Sequence, residues 1–170
     1  MSQSKSEMAS DYESKHSGKV QQFLTFVLND EVYGVDILHI REIIDYDNLT
    51  VVPLMPDFIS GVINLRGNVV AVVNLARRFN HESKGIGKRT SIVIIDMQDN
   101  EGDSVEVGIV VDVVNEVIEL AVTDIAAAPT FGAKIRADFI QGMAKIDDKL
   151  MILLDVNHVL SIKELSTVTE

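Results

Sequence analysis

The segment from Asp57 to Phe79, DFISGVINLRGNVVAVVNLARRF, lies without a gap over the segment from Asp138 to Leu160, DFIQGMAKIDDKLMILLDVNHVL. Four positions are identical, with Asp57, Phe58, Ile59 and Gly61 facing Asp138, Phe139, Ile140 and Gly142. Upstream, YGVDILHIREIID resembles VGIVVDVVNEVIE, which places Gly34 over Gly108 and Glu42 over Glu116. A sequence that repeats itself once builds two similar units, and two copies are too few for a solenoid. The texture inside each copy is short runs of valine, isoleucine and phenylalanine ended by Asn, Asp or Gly, which is the pattern of strands. FLTFVLNDEVYGVDI predicts a hairpin turning at Asn29-Asp30, and TSIVIIDMQDNEGDSVEVGIVVDVV a second with an acidic loop from Asp96 to Ser104. The fold expected is mostly β, two small antiparallel barrels of about five strands around a shared core, with a boundary in the His81 to Lys88 loop. The halves then run over 20–82 and 88–162, inside a domain spanning 20–165. Helix is scarce: the candidates are Asn74 to Phe79 and Asp155 to Leu165, the latter capped by Asp155.

The composition narrows what two such barrels can do. With 46% apolar residues in 170, the chain buries a core without staples, and it has no cysteine, which removes thiolate catalysis and thiolate metal sites. A reducing compartment, by default the cytoplasm, fits that absence. A net charge of -11 repels phosphate backbones and anionic lipid, so neither nucleic acid nor membrane insertion is expected. No apolar run is long enough to span a bilayer and no secretory signal is expected at the start. Residues 1–19, rich in serine and charge, cannot offset their ordering entropy and read as a disordered tail, with a second short tail at 166–170.

One residue does not follow from this grammar. Between two strands stands Asn64-Leu65-Arg66-Gly67-Asn68, where Gly67 and Asn68 are the residues expected to take positive φ, and nothing in a tight turn asks for a guanidinium. The second copy makes the same turn with Asp147 and Asp148. Arg66 therefore either pairs with a nearby carboxylate or projects into a protein interface, where its planar fork of donors recognises carboxylates or backbone.

Three stretches, FLTFVLNDEVYGVDILHIREI, FISGVINLRGNVVAVVNL and GIVVDVVNEV, occur in the order found in the CheW family, and from about Gln21 to Leu160 the chain resembles that family. The resemblance implies a chemotaxis adaptor that links the cytoplasmic tips of transmembrane chemoreceptors to the regulatory domain of the histidine kinase CheA. It also implies two five-stranded barrels of the Src-homology-3 type. By the same resemblance the receptor-contacting face includes Arg66 and Glu42, with Ile40, Gly61 and Ile92 around them; kinase-contacting residues are not assigned. Relatives that add a receiver domain, or carry the module within the kinase, differ by domains not expected here.

GIGKR, Gly85 to Arg89, lacks the glycine and the Ser or Thr of a phosphate loop, since Glu82 and Arg89 stand there. Read from Asp96, DMQDNEGDS has Glu101 where a calcium loop needs glycine and Val107 where it needs glutamate. His16, His39, His81 and His158 are scattered without metal-ligand spacing. The acidic pairs Asp45 with Asp47 and Asp147 with Asp148 read as turns, and Phe23, Phe26, Phe58 and Phe139 as core. No cofactor and no catalytic group is expected. The alternative to an adaptor is a module that senses a small ligand between its barrels.

Overall fold

The computed structural model describes residues 19–47, 49–99, 101–128 and 135–161. The two expected tails lie outside them, apart from Lys19. The strands are β1 (Val20–Leu28), β2 (Glu31–Asp36), β3 (Ile40–Asp45), β4 (Ile59–Leu65), β5 (Asn68–Asn74), β6 (Ser91–Gln98), β7 (Ser104–Val111), β8 (Val113–Ala121), β9 (Ile140–Ile146) and β10 (Lys149–Leu154). They form two five-stranded sheets, as the repeat predicts, in the orders β8-β1-β2-β10-β9 and β3-β6-β7-β5-β4.

The sheets do not divide where the repeat divides. Each half sends its first hairpin to the other half's sheet: β1-β2 joins β8, β9 and β10, while β6-β7 joins β3, β4 and β5. The expected boundary at His81 to Lys88 therefore separates the sequence copies but not the barrels. The exchange leaves one parallel contact in each otherwise antiparallel sheet, β2 with β10 and β5 with β7. The repeat-equivalent glycines stand on these contacts. A Cβ on Gly34 would meet Leu153 Cδ2 at 2.9 Å, and one on Gly108 would meet Ile92 Cγ2 at 2.8 Å. Each glycine opens room for a core side chain of its barrel.

Closure repeats as well. The chain leaving edge strand β3 reaches the opposite edge β4, where Thr50 and Val62 exchange two backbone hydrogen bonds of 2.9 Å. After β8, Ala126 does the same with Met143 on β9. The closing segments press onto Gly61 and Gly142, the glycines shared by the two copies: a Cβ on Gly61 would lie 2.6 Å from Thr50 O, and one on Gly142 would lie 2.5 Å from Ile125 Cγ2.

Between the barrels lies the main apolar cluster, drawn from both sheets, with Phe26, Tyr33, Phe79 and Phe139 in an aromatic row spaced 5.9, 5.5 and 5.8 Å. The row joins β1, β2, the segment after β5 and the turn before β9, so both copies contribute. Phe23 belongs instead to the interior of the first barrel, and Phe58 packs partly buried at the edge of the main cluster. Two short helices end the repeats: α1 (Leu75–Arg78), capped by the Asn74 side chain, and α2 (Val156–Val159), capped by Asp155. The second stops earlier than the expected Leu165, and residues beyond Ser161 lie outside the description. Arg78 fastens the two ends, donating from Nε to Val159 O at 2.6 Å and covering the Phe58 and Phe139 rings, themselves repeat equivalents. The acidic loop is shorter than expected. β6 runs on to Gln98, and the Asp99 carboxylate turns the chain by accepting from Glu101 N and Asp103 N, both at 2.9 Å.

Two predictions follow from this packing. Gly61→Ala lowers unfolding free energy by about 2 kcal/mol, since a backbone oxygen blocks the new methyl and the φ of 155° disfavours it. Gly142→Ala costs less, because its backbone angle accepts a side chain, although Ile125 Cγ2 at 2.5 Å and Ala126 O at 3.0 Å crowd the new methyl; urea denaturation of both variants measures the order. The second concerns Tyr33, whose burial, aided by the Glu31 carboxylate, pushes its hydroxyl up to about 12. The native state therefore holds this proton longer than the unfolded state does. Stability is complete below about 10, the unfolded value, and declines as pH climbs towards 12; Tyr33→Phe flattens that slope in alkaline denaturation.

Candidate protein-interaction site

Arg66 sits on the two-residue turn joining β4 to β5, and the positive φ values fall on Arg66 itself, at 54°, and Gly67, at 89°, rather than on Gly67 and Asn68. A primed hairpin turn needs that hand at both central residues. The second copy meets it with Asp147 at 49° and Asp148 at 65°. Asn64 fixes the turn, its Oδ1 accepting from Gly67 N at 2.9 Å. An arginine is a poor choice for left-handed backbone, where about 1 kcal/mol is lost relative to glycine. What is kept at this position is the side chain.

That side chain closes one end of the second barrel. Its Nη2 donates to Glu42 Oε1 at 2.6 Å and lies 4.0 Å from Glu106 Oε2. Glu42 on β3 lies two residues before Ile44, and Glu106 on β7 two before Gly108, so both carboxylates point inward on the face that carries the apolar cluster of Val70, Val72, Ile92, Ile94 and Val110. The guanidinium lies over that end with 61% of the side chain exposed, above Glu42 at 30% and Glu106 at 19%. Glu106 Oε2 is buried and accepts no hydrogen bond. The hydrogen bond from Arg66 holds the Glu42 carboxyl below the usual carboxylate range, and the same bond raises the guanidinium further above neutrality.

The residues expected on a receptor-contacting face thus separate into two groups. Glu42 and Arg66 meet on the surface. Ile40 is half-buried against the main cluster, Gly61 is buried under Thr50, and Ile92 has no exposed surface, so Gly61 and Ile92 present no side chain at the surface. Glu106 was missed from the sequence. Its signal is the alternation in SVEVGIVV, where a glutamate shares the inward face with Gly108 and Val110. Ile43, next to Glu42 in the chain, and Val69, beside the turn, are exposed, with polar Arg41 and Asn68 exposed in the same region.

Among the described residues no group of acidic and histidine side chains is placed to hold a metal, and no helix is long and apolar enough to cross a membrane. His39 lies on a single turn of 3-10 helix (Ile37–His39) ahead of β3, not on a strand.

Residues 22–164 match the family model described as CheW-like domain. The chain is 36% identical over 148 residues to a chemotaxis protein CheW of Klebsiella aerogenes, covering 87% of this chain and 86% of that one. It is 32% identical over 140 residues to a chemotaxis protein CheW of Bacillus subtilis, covering 82% and 86%. The fold superposes on the crystal structure of the scaffolding protein TtCheW from Thermoanaerobacter tengcongensis with a TM-score of 0.75 and 32% identity, over 83% of this chain and 88% of that one.

The ion pair makes its own prediction. In Arg66→Ala, Glu42 loses the hydrogen bond that depresses it, so its titration moves up towards the ordinary glutamate value, followed by carboxyl NMR shifts against pH. In the wild type the contribution of the pair is present above that ordinary value and is lost as pH falls below it. By fold, sequence and the matched model together, this chain belongs to the CheW family of chemotaxis adaptor proteins.

Proposed function

We propose that this protein is a non-enzymatic adaptor that couples the cytoplasmic tips of transmembrane chemoreceptors to the regulatory domain of the histidine kinase CheA, on the cytoplasmic side of the membrane. The observation that carries the reading is the Arg66 turn. A guanidinium is held on a two-residue hairpin, at a backbone angle that disfavours it, by a carboxylate 2.6 Å away, with exposed Ile43 and Val69 nearby. An anchor already fixed in this way gives up little side-chain freedom when a partner closes over it. Arginine is among the residues that dominate interface hot spots.

An adaptor of this kind needs no reaction. Holding receptor and kinase on different faces makes each further contact nearly intramolecular, so modest individual affinities sustain a large assembly. The reading of a ligand sensor between the barrels is disfavoured, since that space is filled by the main apolar cluster and its aromatic row.

The test is binding of a soluble coiled-coil fragment of a receptor tip, by calorimetry, to the wild type, Arg66→Ala and Arg66→Lys. Loss of the anchor weakens binding at least about tenfold, and lysine, which lacks the planar fork, does not restore it. Equal affinities for all three, with native circular dichroism, contradict the assignment of Arg66.

A further inference from the structure

The two barrels are internal copies, yet their mouths are closed to different degrees, with about 310 Å³ left open beside Glu106 and Val70 in the second. At the end of the second barrel, Arg66 lies over Glu42 and Glu106. At the same end of the first barrel, a cavity of about 540 Å³ is open. Its lining repeats the closed site position by position: Glu116 stands for Glu42, Asp147 for Arg66, Val32 for Glu106, Ile146 for Leu65 and Met151 for Val70. Thr25 takes the place of Ile94, removing apolar bulk from the wall. Each mouth therefore carries two carboxylates, Glu42 with Glu106 in one and Glu116 with Asp147 in the other. The first pair has an arginine of the same chain within 4.0 Å, whereas among the described residues the second pair forms no ion pair.

Several features show that this mouth is built. The Thr25 hydroxyl, buried, donates to Glu116 O at 2.7 Å and accepts from Glu116 N at 3.2 Å, pinning Glu116 where the β1-β8 register shifts. A bulge of this kind re-aims a side chain and holds it, and the corresponding shift on β3 falls at Glu42. The floor is apolar, with Val32, Ile146 and Met151 in the interior cluster of the first barrel. The rim is polar, with Arg89, Asn115, Glu116, Asp147 and Lys149 in the lining. Arg89 and Lys149 line the same cavity, yet among the described residues neither forms an ion pair with Glu116 or Asp147. The carboxylates remain available.

We propose that the open mouth is a socket for an arginine side chain of a protein partner, whose guanidinium lies across Glu116 and Asp147 as Arg66 lies across Glu42 and Glu106. The aliphatic stem packs on Met151 and Ile146, and the planar fork spans two carboxylates that a lysine ammonium bridges less well. The two mouths are then one design used twice. One is completed within the chain and the other by a partner.

The probe is N-acetyl-arginine amide, titrated into the isotope-labelled full-length protein and followed by backbone NMR at constant ionic strength, with N-acetyl-lysine amide as comparison. Shifts centred on Thr25, Glu116 and Met151, saturating in the millimolar range and weaker with lysine, are the expected result. Two variants complete the test. Asp147→Arg supplies the mouth with its own guanidinium and weakens the arginine probe at least about tenfold while the rest of the spectrum stays native. Asp147→Asn with Glu116→Gln removes the acceptors and has the same effect without a plug. No response at Thr25 and Glu116, an equal response to lysine, or a response that survives in both variants overturns the socket. The result is independent of the receptor assignment, because neither the probe nor the variants touch the Arg66 face.

Discussion

Neither half of this chain can close its own barrel. The strand that completes the β-sheet around each copy's final hairpin comes from the other copy, through the parallel contacts β2 with β10 and β5 with β7. Those contacts demand glycine at Gly34 and Gly108, where a methyl would collide with Leu153 or Ile92. They also tie sequence-distant segments into one unit, so the main apolar cluster draws on both copies and cannot form from one. The Arg66 site inherits the exchange. Glu42 and the turn come from the first copy, whereas Glu106 arrives on β7 of the second, beside β5.

This architecture suits a protein whose task is to hold others. The turns that carry candidate contact residues sit on two-residue hairpins continuous with a closed sheet, where the backbone has little freedom to reorganise on binding. The charged groups at each mouth lie at the ends of apolar interiors. Among the described residues no group of acidic and histidine side chains is placed to hold a metal. The product of the architecture is position.

Much of the fold was legible in the sequence, and the parts that were not share one cause. Alternating apolar runs located the hairpins and the repeat gave two barrels, because side-chain period and turn chemistry are local. Which strands pair across the molecule is not local, and the exchange of β1-β2 for β6-β7 left no trace in periodicity. The same blindness hid Glu106, whose relation to Arg66 depends on a parallel pairing. Ile92 and Gly61 were expected at a contact face, yet one lies inside the second barrel and the other under its closing segment. A family motif marks both what touches a partner and what shapes the surface beneath, and only burial separates them. The positive φ at Arg66 was also out of reach, since a sequence reading assigns left-handed backbone to Asn and Gly first.

The central claim is coupling through the Arg66 face, and the direct measurement is autophosphorylation of the histidine kinase on receptor-containing membranes. Three conditions suffice: no added protein, wild type, and Arg66→Ala. The account predicts kinase output that responds to receptor stimulus only when the wild-type protein is present, with Arg66→Ala close to the reaction without it. A receptor response of equal size in all three would contradict it.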